Sequence, residues 1–441
     1  MKSVNIAMIP KSGKANSQSI SNQRGIFILS IFRSLLMKML LKDEYKMIDE
    51  FMSDSNVGGR RGRRIQDHLF IINGIIFDHA RSRIKTQLTI GIYDYRLCFD
   101  SMWHAEVIND LYDAGIKDDK LSLLHEINKT NNIAVKTQAG LSERKTVKNI
   151  VCQGDPWGSI ECALQTDAFG KESLNPILEP YKYKEEVEIP VLGVVDDLIT
   201  VSESGYKSVK MNSFINAKTA IKKLQFGPEK CHVLHIGRNQ ESYKNVDHYV
   251  EGWKMEEVQD ILTGESYTEE AYDGEHGMSA ESVQKYLGQH ISSDSTNTKN
   301  IEMLRNKGIG IQNKIVQIMT AISAGKYHFE MAVILRNSLL ISSLLSSSET
   351  WYGVTLVEIA KLEQIDEMLW LNILECFSST PRDLIYMELG ILRIRDIIKT
   401  RRFMFLQHIL KNQSVLFIFF LVQVKKNTTQ GLDQQNTRRH G

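Results

Sequence analysis

Cysteine is scarce in this chain and carries no pattern: the five residues Cys98, Cys152, Cys162, Cys231 and Cys376 include no C-x-x-C pair and no Cys/His spacing. That excludes a zinc-ribbon site and a disulfide framework, and makes reduced thiols the expected state. Long apolar runs are missing too. The strongest, Val415 to Val422, is far too short to cross a bilayer. Met1 to Lys14 holds three lysines and Pro10 but no apolar core, so it is not a secretory signal. Charge of one sign is lacking: 54 Lys and Arg against 53 Asp and Glu leave +1, which excludes a uniformly basic nucleic-acid coat. No internal repeat is present.

What the chain does have is ordinary globular composition and length for more than one core. At 441 residues, two or three subdomains are expected. The positive charge is unevenly spread, with Arg60, Arg61, Arg63 and Arg64 clustered in a Gly-rich loop. Such a loop is either simply solvated or a phosphate contact, and phosphate contacts make binding salt-dependent.

The most informative segment is Leu192-Gly-Val-Val-Asp-Asp-Leu-Ile-Thr-Val201, in which the adjacent carboxylates Asp196 and Asp197 are flanked by apolar residues on both sides. It reads as a hairpin presenting metal ligands at its turn. Upstream, Thr89-Ile-Gly-Ile-Tyr-Asp94 places Asp94 at the end of an apolar, β-branched strand. Mg²⁺ favours few carboxylates, several waters and substrate phosphates. Two such ions about 3.5–4 Å apart activate an attacking oxygen and stabilise a leaving pyrophosphate. Nucleotidyl transfer is the chemistry this suggests.

The periodicities around these carboxylates give a coarse order. Met1 to about Gly25 reads as loop, Ile26 to Tyr45 and Gln66 to Arg83 as helices, and Leu88 to Tyr93 as a strand. Two short helices follow between Trp103 and Asn128. Strands are expected at Asn132–Thr137 and Thr146–Val151, a helix within Gly154–Glu172, a hairpin at Ile189–Ser202, a helix at Tyr206–Leu224 and a strand at Cys231–Ile236. This order predicts an antiparallel sheet with helices on one face. Gly237 to Ser282 is polar and expected to be irregular. Thr298 to Ser379 contains no proline and long helical periods, so the C-terminal third should be a helical bundle. Asp100 is expected to cap the helix after it, Trp157 and Trp103 to be core aromatics, and His232 and His235 to be structural strand residues.

Eight segments in order resemble the reverse transcriptases of non-LTR (LINE-like) retrotransposons: Ile9-Pro-Lys-Ser-Gly-Lys14, Gln23-Arg-Gly-Ile-Phe-Ile-Leu29, Asn56-Val-Gly-Gly-Arg60, Tyr93-Asp-Tyr-Arg-Leu-Cys-Phe-Asp100, Cys152-Gln-Gly-Asp-Pro-Trp157, Val194-Val-Asp-Asp-Leu198, Leu224-Gln-Phe-Gly-Pro-Glu-Lys-Cys231 and Tyr286-Leu-Gly288. The resemblance covers Ile9 to about Leu410. It implies an α+β right-hand polymerase with fingers, an antiparallel-sheet palm packed by helices, and a helical thumb. The implied divisions are fingers 1–88, palm 89–236 with fingers-side elements about 130–160, an irregular segment and primer-grip hairpin 237–297, thumb and C-terminal helices 298–412, and an unmatched, poorly ordered tail 413–441.

The same resemblance implies the residue roles. Asp94, Asp196 and Asp197 are the metal ligands, holding two Mg²⁺ ions with Mn²⁺ as the alternative. Lys230 protonates or neutralises departing pyrophosphate. Phe99 is the aromatic gate under the incoming sugar, Arg24 and Lys11 contact the triphosphate, and Gln153 and Gly154 pack beneath the nascent base pair. Tyr286, Leu287 and Gly288 would grip the primer; apart from the resemblance, the basic loop itself offers Arg60, Arg61 and Arg63 as template-phosphate contacts if it is not simply solvated. The implied activity is RNA-directed DNA polymerisation from dNTPs, with an RNA template and a DNA primer or target, no membrane, a separate endonuclease and a nuclear or cytoplasmic site of action.

Two departures stand out. Val194 and Val195 replace the usual aromatic-Ala pair before the doublet, and valine suits a buried strand. Trp157-Gly158 stands where the family has Leu-Ser. Neither an endonuclease nor a ribonuclease H domain is expected within this chain, which reads as a truncated copy. The rival functional readings are an inactive remnant that only binds nucleic acid, and an unstable pseudogene product.

Overall fold

The computed structural model describes residues 3–10, 23–82, 87–129, 131–137, 140–147, 149–237, 248–259, 266–322, 328–412 and 415–425. The chain divides into two compact units. The first comprises Met1–Arg64, Thr89–Val233 and Ser242–Ala280; the second comprises Ile65–Leu88, Leu234–Glu241 and Glu281–Gly441.

Two sheets organise the first unit. In one, the strand Ser3–Pro10 runs antiparallel to Gln23–Ile28 and parallel to Asn131–Thr137, with Gly140–Leu141 and Lys145–Val147 added to the last. Val4, Phe27, Ile133 and Cys152 form its small core. The N-terminal loop expected from Pro10 and Gly13 is therefore partly strand, because Val4, Ile6 and Phe27 have apolar partners that the local sequence does not reveal.

The second sheet has the order Ser279–Ala280, His232–Ile236, Leu88–Asp94, Asp197–Ser202, Leu192–Val194. Its central pair is antiparallel, with Tyr93 opposite Leu198 and Asp94 opposite Asp197. Strand side chains alternate between faces, so the Tyr93–Leu198 pair and the Asp94–Asp197 pair lie on opposite sides. Tyr93 and Leu198 join the main core with Leu111, Trp157, Phe169, Ile215 and Phe226. That core is supplied by the helices Ile31–Phe51, His104–Asp113, Asp118–Lys129, Gly158–Ser173 and Gly205–Ile221. Every residue of Leu88–Tyr93 is buried, including Ile90 and Ile92 on the opposite side from Tyr93.

Between 237 and 282, where irregular backbone was expected, the strands Tyr249–Gln259 and Ser266–Gly277 pair as a long antiparallel ribbon. Its many Glu, Asp and Gly residues mask the extended pairing from a reading based on hydrophobic periodicity.

The second unit is mainly helical: Ile65–Arg81, Thr298–Ala321, His328–Leu335, Leu356–Ile373, Arg382–Glu388 and Ile394–Lys411. Leu340, Leu344, Leu362, Trp370 and Ile394 centre its core. A buried Arg336–Asp366 pair crosses that core with two hydrogen bonds of 2.7 and 2.6 Å, and Tyr386 donates to the same carboxylate at 2.9 Å. The segment His328–Thr350 has the length and composition to cross a membrane, but its Ala332, Leu340 and Leu344 pack in this core. The tail expected to be poorly ordered contains the helix Val415–Lys425. Leu416, Phe419 and Val422 are buried there at helical spacing.

Candidate active site

The carboxylate turn is built from three directions. Asp197 pairs with Val194 as well as with Asp94, so Val195 and Asp196 form a two-residue hairpin turn. Val195 sits at φ +59°, a left-handed conformation that a β-branched residue adopts only at a cost. The valine read from sequence as a strand residue is thus the first residue of the turn.

The segment Ser55–Gly58 clamps this hairpin. Val57 N donates to Gly193 O at 3.1 Å and Gly193 N donates to Ser55 O at 2.9 Å. Asn56, 1% exposed, donates to Ala163 O at 2.9 Å and to Thr166 Oγ1 at 3.0 Å, and accepts from Gly58 N at 3.0 Å. Thr166 Oγ1 in turn donates to Val195 O at 3.0 Å. These links run from the helix Gly158–Ser173 to the peptide that precedes Asp196. Asn56 and Gly58 belong to the motif Asn56-Val-Gly-Gly-Arg60, and their clamping role, like that of Thr166, is set by partners distant in sequence. The glycine pair was the available signal.

On the other side of Asp94 lies Leu224–Cys231. Gly227 N donates to Asp94 O at 3.0 Å, and Arg96 N donates to Gln225 O at 2.7 Å. Tyr95 and Phe226 stack with ring centroids 4.7 Å apart. This docking brings Lys230 Nζ to 2.6 Å from Asp94 Oδ1. Burial opposes the charge on Lys230, but the hydrogen bond and charge of Asp94 outweigh it and raise the lysine's pKa.

The three carboxylates feel one another. Burial pushes Asp197 up to about 7, and Asp196 and Asp94 add to the rise while Lys230 opposes it. Asp196 is also raised, first by burial and then by Asp94, against its own backbone hydrogen bond, Lys230 and Arg24. Arg24, exposed on the strand Gln23–Ile28, is thereby within electrostatic reach of the doublet. Among the described residues, no group of three or more His, Cys, Asp and Glu side chains is gathered to hold a metal ion. The donor set nevertheless suits a hard divalent cation that keeps waters and substrate oxygens, because all three side chains are carboxylates held near a strand end.

Phe99 and the loop Gln153–Gly158 lie together. Val151 N donates to Phe99 O at 2.8 Å, and a β-carbon on Gly158 would meet Phe99 Cε1 at 3.8 Å. Gly154 is exposed at φ +98°, where a β-carbon would stand 3.8 Å from Phe27 O, and Gln153 is half-buried. The loop is pinned from below. Asp155 meets Arg33 at 3.1 Å in a pair only 4% and 1% exposed, and Trp157 Nε1 donates to Met37 O at 2.8 Å. Trp157 is core as expected, whereas Trp103 is 40% exposed. Asp100 lies within the short helix Cys98–Ser101 and does not cap the next one, whose N-cap is Trp103.

The residues expected to touch nucleic acid lie in different settings. Arg60 is 7% exposed, paired with Asp49 at 2.7 Å and donating to Ser53 O, Asn56 O and Asp49 O, so it fastens its own loop and is not available to a phosphate. Arg63 pairs with Asp54 at 2.5 Å. Arg61 is exposed, with its guanidinium 4.5 Å over the Tyr45 ring. Lys11 lies outside the described residues. In the second unit, Leu287 and Gly288 form the turn between Val283–Tyr286 and Gln289–Ser292, at φ +47° and +82°, the pairing of a primed hairpin turn. Tyr286 is 2% exposed, so its ring packs inside and the tip is Leu287-Gly288.

The family described as reverse transcriptase (RNA-dependent DNA polymerase) matches residues 9–291. No curated protein matches the sequence. Among solved structures, apo telomerase from Candida tropicalis aligns at 12% identity and TM-score 0.43, covering 87% of this chain and 68% of that one. Its form truncated from the C-terminal domain aligns at 12% identity and TM-score 0.40, covering 61% and 55%. Telomerase from Candida albicans in complex with a TWJ fragment of telomeric RNA aligns at 13% identity and TM-score 0.41, covering 89% and 66%. This chain therefore spans 55–68% of the length of these three structures.

Proposed function

The chain belongs to the reverse transcriptase (RNA-dependent DNA polymerase) family, an α+β polymerase fold and a nucleotidyltransferase class, and from that premise we propose that it extends a DNA 3′ end with dNTPs on an RNA template. The observation that carries this reading is the cross-strand pairing of Asp94 with Asp197, with Asp196 in the adjoining turn and Lys230 at 2.6 Å from Asp94.

Reverse transcriptases use divalent metal ions, and Mg²⁺ is the ion proposed here. Asp94, Asp196 and Asp197 are the residues that would hold two of them, and bound there the ions would supply charge neutralisation for the attacking 3′ oxygen and the leaving pyrophosphate. The chain's own groups do the rest. Phosphoryl transfer leaves a protein mainly positioning and electrostatics to contribute. Arg24 offers a planar fork to the triphosphate. Lys230, with its raised pKa, is protonated at neutral pH and stands ready to donate to a departing oxygen. Phe99 occupies the sugar side by volume, and Gly154, with no side chain above it, admits the nascent pair closely. Arg61 is the remaining template-phosphate candidate of its cluster. The eight ordered sequence segments support an origin in a non-LTR retrotransposon, with target cleavage supplied by a separate endonuclease.

The test is dNTP incorporation by purified protein on poly(rA)/oligo(dT) with Mg²⁺. Incorporation is expected in the parent and absent in Asp196→Asn, with template affinity nearly unchanged. Full activity in that variant overturns the assignment. Tight binding with no incorporation in the parent instead supports a remnant that only binds nucleic acid.

A further inference from the structure

Thr166 is buried on the helix Gly158–Ser173, and a threonine hydroxyl has a single proton to donate. Three carbonyl oxygens lie within reach of it: Cys162 O at 3.3 Å and Ala163 O at 3.2 Å in its own helix, and Val195 O at 3.0 Å in the carboxylate turn. A threonine inside a helix commonly returns its proton to the carbonyl three or four residues back. Here that proton must be divided between the helix and the turn that carries Asp196.

Asn56 settles the division. Gly58 N donates to Asn56 Oδ1 at 3.0 Å, which fixes the oxygen end of the amide and turns its nitrogen toward the helix. The two protons on that nitrogen go to Ala163 O at 2.9 Å and to Thr166 Oγ1 at 3.0 Å. The first occupies a helix carbonyl that the hydroxyl could have used. The second makes Thr166 Oγ1 an acceptor on the Asn56 side, so its own proton points away from Asn56. Both helix carbonyls also serve intrahelical N–H groups. Val195 O is the nearest of the three acceptors, and it belongs to a residue held at φ +59°, a conformation that persists only where surrounding contacts enforce it.

We propose that Thr166, oriented by Asn56, is a positioning residue: its hydroxyl holds the Val195–Asp196 peptide in the left-handed turn and so aims the Asp196 carboxylate and sets its affinity for a divalent cation. The proposal rests on the reading of the three carboxylates as a cation site and adds the group that directs one of them.

Three variants of the full chain separate this role from packing. Thr166→Val keeps the shape and removes the hydroxyl, Thr166→Ser keeps the hydroxyl, and Asn56→Asp replaces two donated protons by acceptors that draw the threonine proton to residue 56. Amide hydrogen exchange without cation, read by mass spectrometry on residues 192–199, measures the turn itself. Exchange there is expected to be about tenfold faster in Thr166→Val and Asn56→Asp, from the loss of one buried hydrogen bond, and parent-like in Thr166→Ser. Mn²⁺ titration followed by electron paramagnetic resonance should show affinity about tenfold weaker in the same two variants, and the Mg²⁺ concentration for half-maximal dNTP incorporation should rise alongside. If Asn56→Asp fails to fold, Thr166→Val against Thr166→Ser decides alone. Parent-like exchange or parent-like Mn²⁺ affinity in folded Thr166→Val overturns the proposal, as does a serine variant that behaves like the valine one. Failure of the polymerase reading looks different: a parent whose Mn²⁺ binding is lost in Asp196→Asn, but which incorporates no dNTP, refutes that reading and leaves this inference standing.

Discussion

Gly58 lies directly beneath Val195: a β-carbon at position 58 would stand 2.5 Å from the Val195 backbone nitrogen and 2.7 Å from its Cγ2. No flexible side chain can yield there, since one of the two atoms is main chain. Gly58→Ala must therefore push the hairpin turn, and Asp196 with it. The expected stability loss is about 1–3 kcal/mol, and kcat for dNTP incorporation should fall by more than that loss explains. Chemical denaturation and steady-state incorporation measure the two, and an unchanged kcat would remove the positioning role of the Ser55–Gly58 clamp.

The Arg33–Asp155 pair holds the Gln153-Gly154 loop from inside the core. Removing one partner strands the other, so Arg33→Met should cost about 3–5 kcal/mol, whereas Arg33→Met with Asp155→Leu should recover much of it. Urea unfolding of the single and double variants decides this. Equal stability of the two would mean that the pair is not what strands a charge. The double variant should still incorporate poorly, because Asp155 also accepts from Trp157 N at 3.1 Å and shapes the loop.

If Phe99 excludes a ribose hydroxyl by volume, Phe99→Val should admit ribonucleotides. The expected change is about a tenfold rise in rNTP over dNTP selectivity as kcat/KM. Competition assays with matched rNTP and dNTP read it directly, and an unaltered ratio would place the gate elsewhere.

Glu161 gives a pH prediction on stability. Burial, then the charge of Asp155, pushes its pKa up to about 8, against the opposing Asn128 hydrogen bond and Arg33 charge. A carboxyl raised above its unfolded value near 4.5 is held neutral in the fold. Its contribution is complete below that unfolded value and drains away as pH rises through about 8, at up to about 1.4 kcal/mol per unit. Glu161→Gln should thus gain in melting temperature over the parent from pH 5 to pH 8. A constant difference across that range would show that Glu161 is ionised in the native protein.

The Arg cluster separates by salt. Arg61→Ala should weaken RNA binding and lower the salt slope by about one, while Arg60→Ala should chiefly destabilise the fold by leaving Asp49 without its partner. Binding titrations at several salt concentrations distinguish the two; a matching salt effect for Arg60→Ala would contradict its buried placement.

Much of this site was legible in the chain itself, for identifiable reasons. Asp94 and the doublet stood out because apolar, β-branched residues on either side leave a carboxylate nowhere to go but a strand end. Trp157 was correctly read as core. What escaped were features set by distant partners. Val195 looked like a strand residue because its propensity says so, and only the Gly58 contact and the Thr166 bond to its carbonyl account for a valine in a left-handed turn. Arg60 looked like its neighbours Arg61 and Arg63, since nothing local announces that the Asp49 carboxylate and three backbone carbonyls will surround it. The ribbon Tyr249–Gly277 was invisible to hydrophobic alternation because polar residues fill it.

The contact between Lys230 and Asp94 bears on the order in which the protein matures. An ammonium already resting against the strand-end acid offsets part of the repulsion that three neighbouring carboxylates would otherwise impose on an apoprotein. If the proposed divalent cation binds at these carboxylates, chelation should silence the chain without unfolding it, because Lys230 already balances part of the same charge.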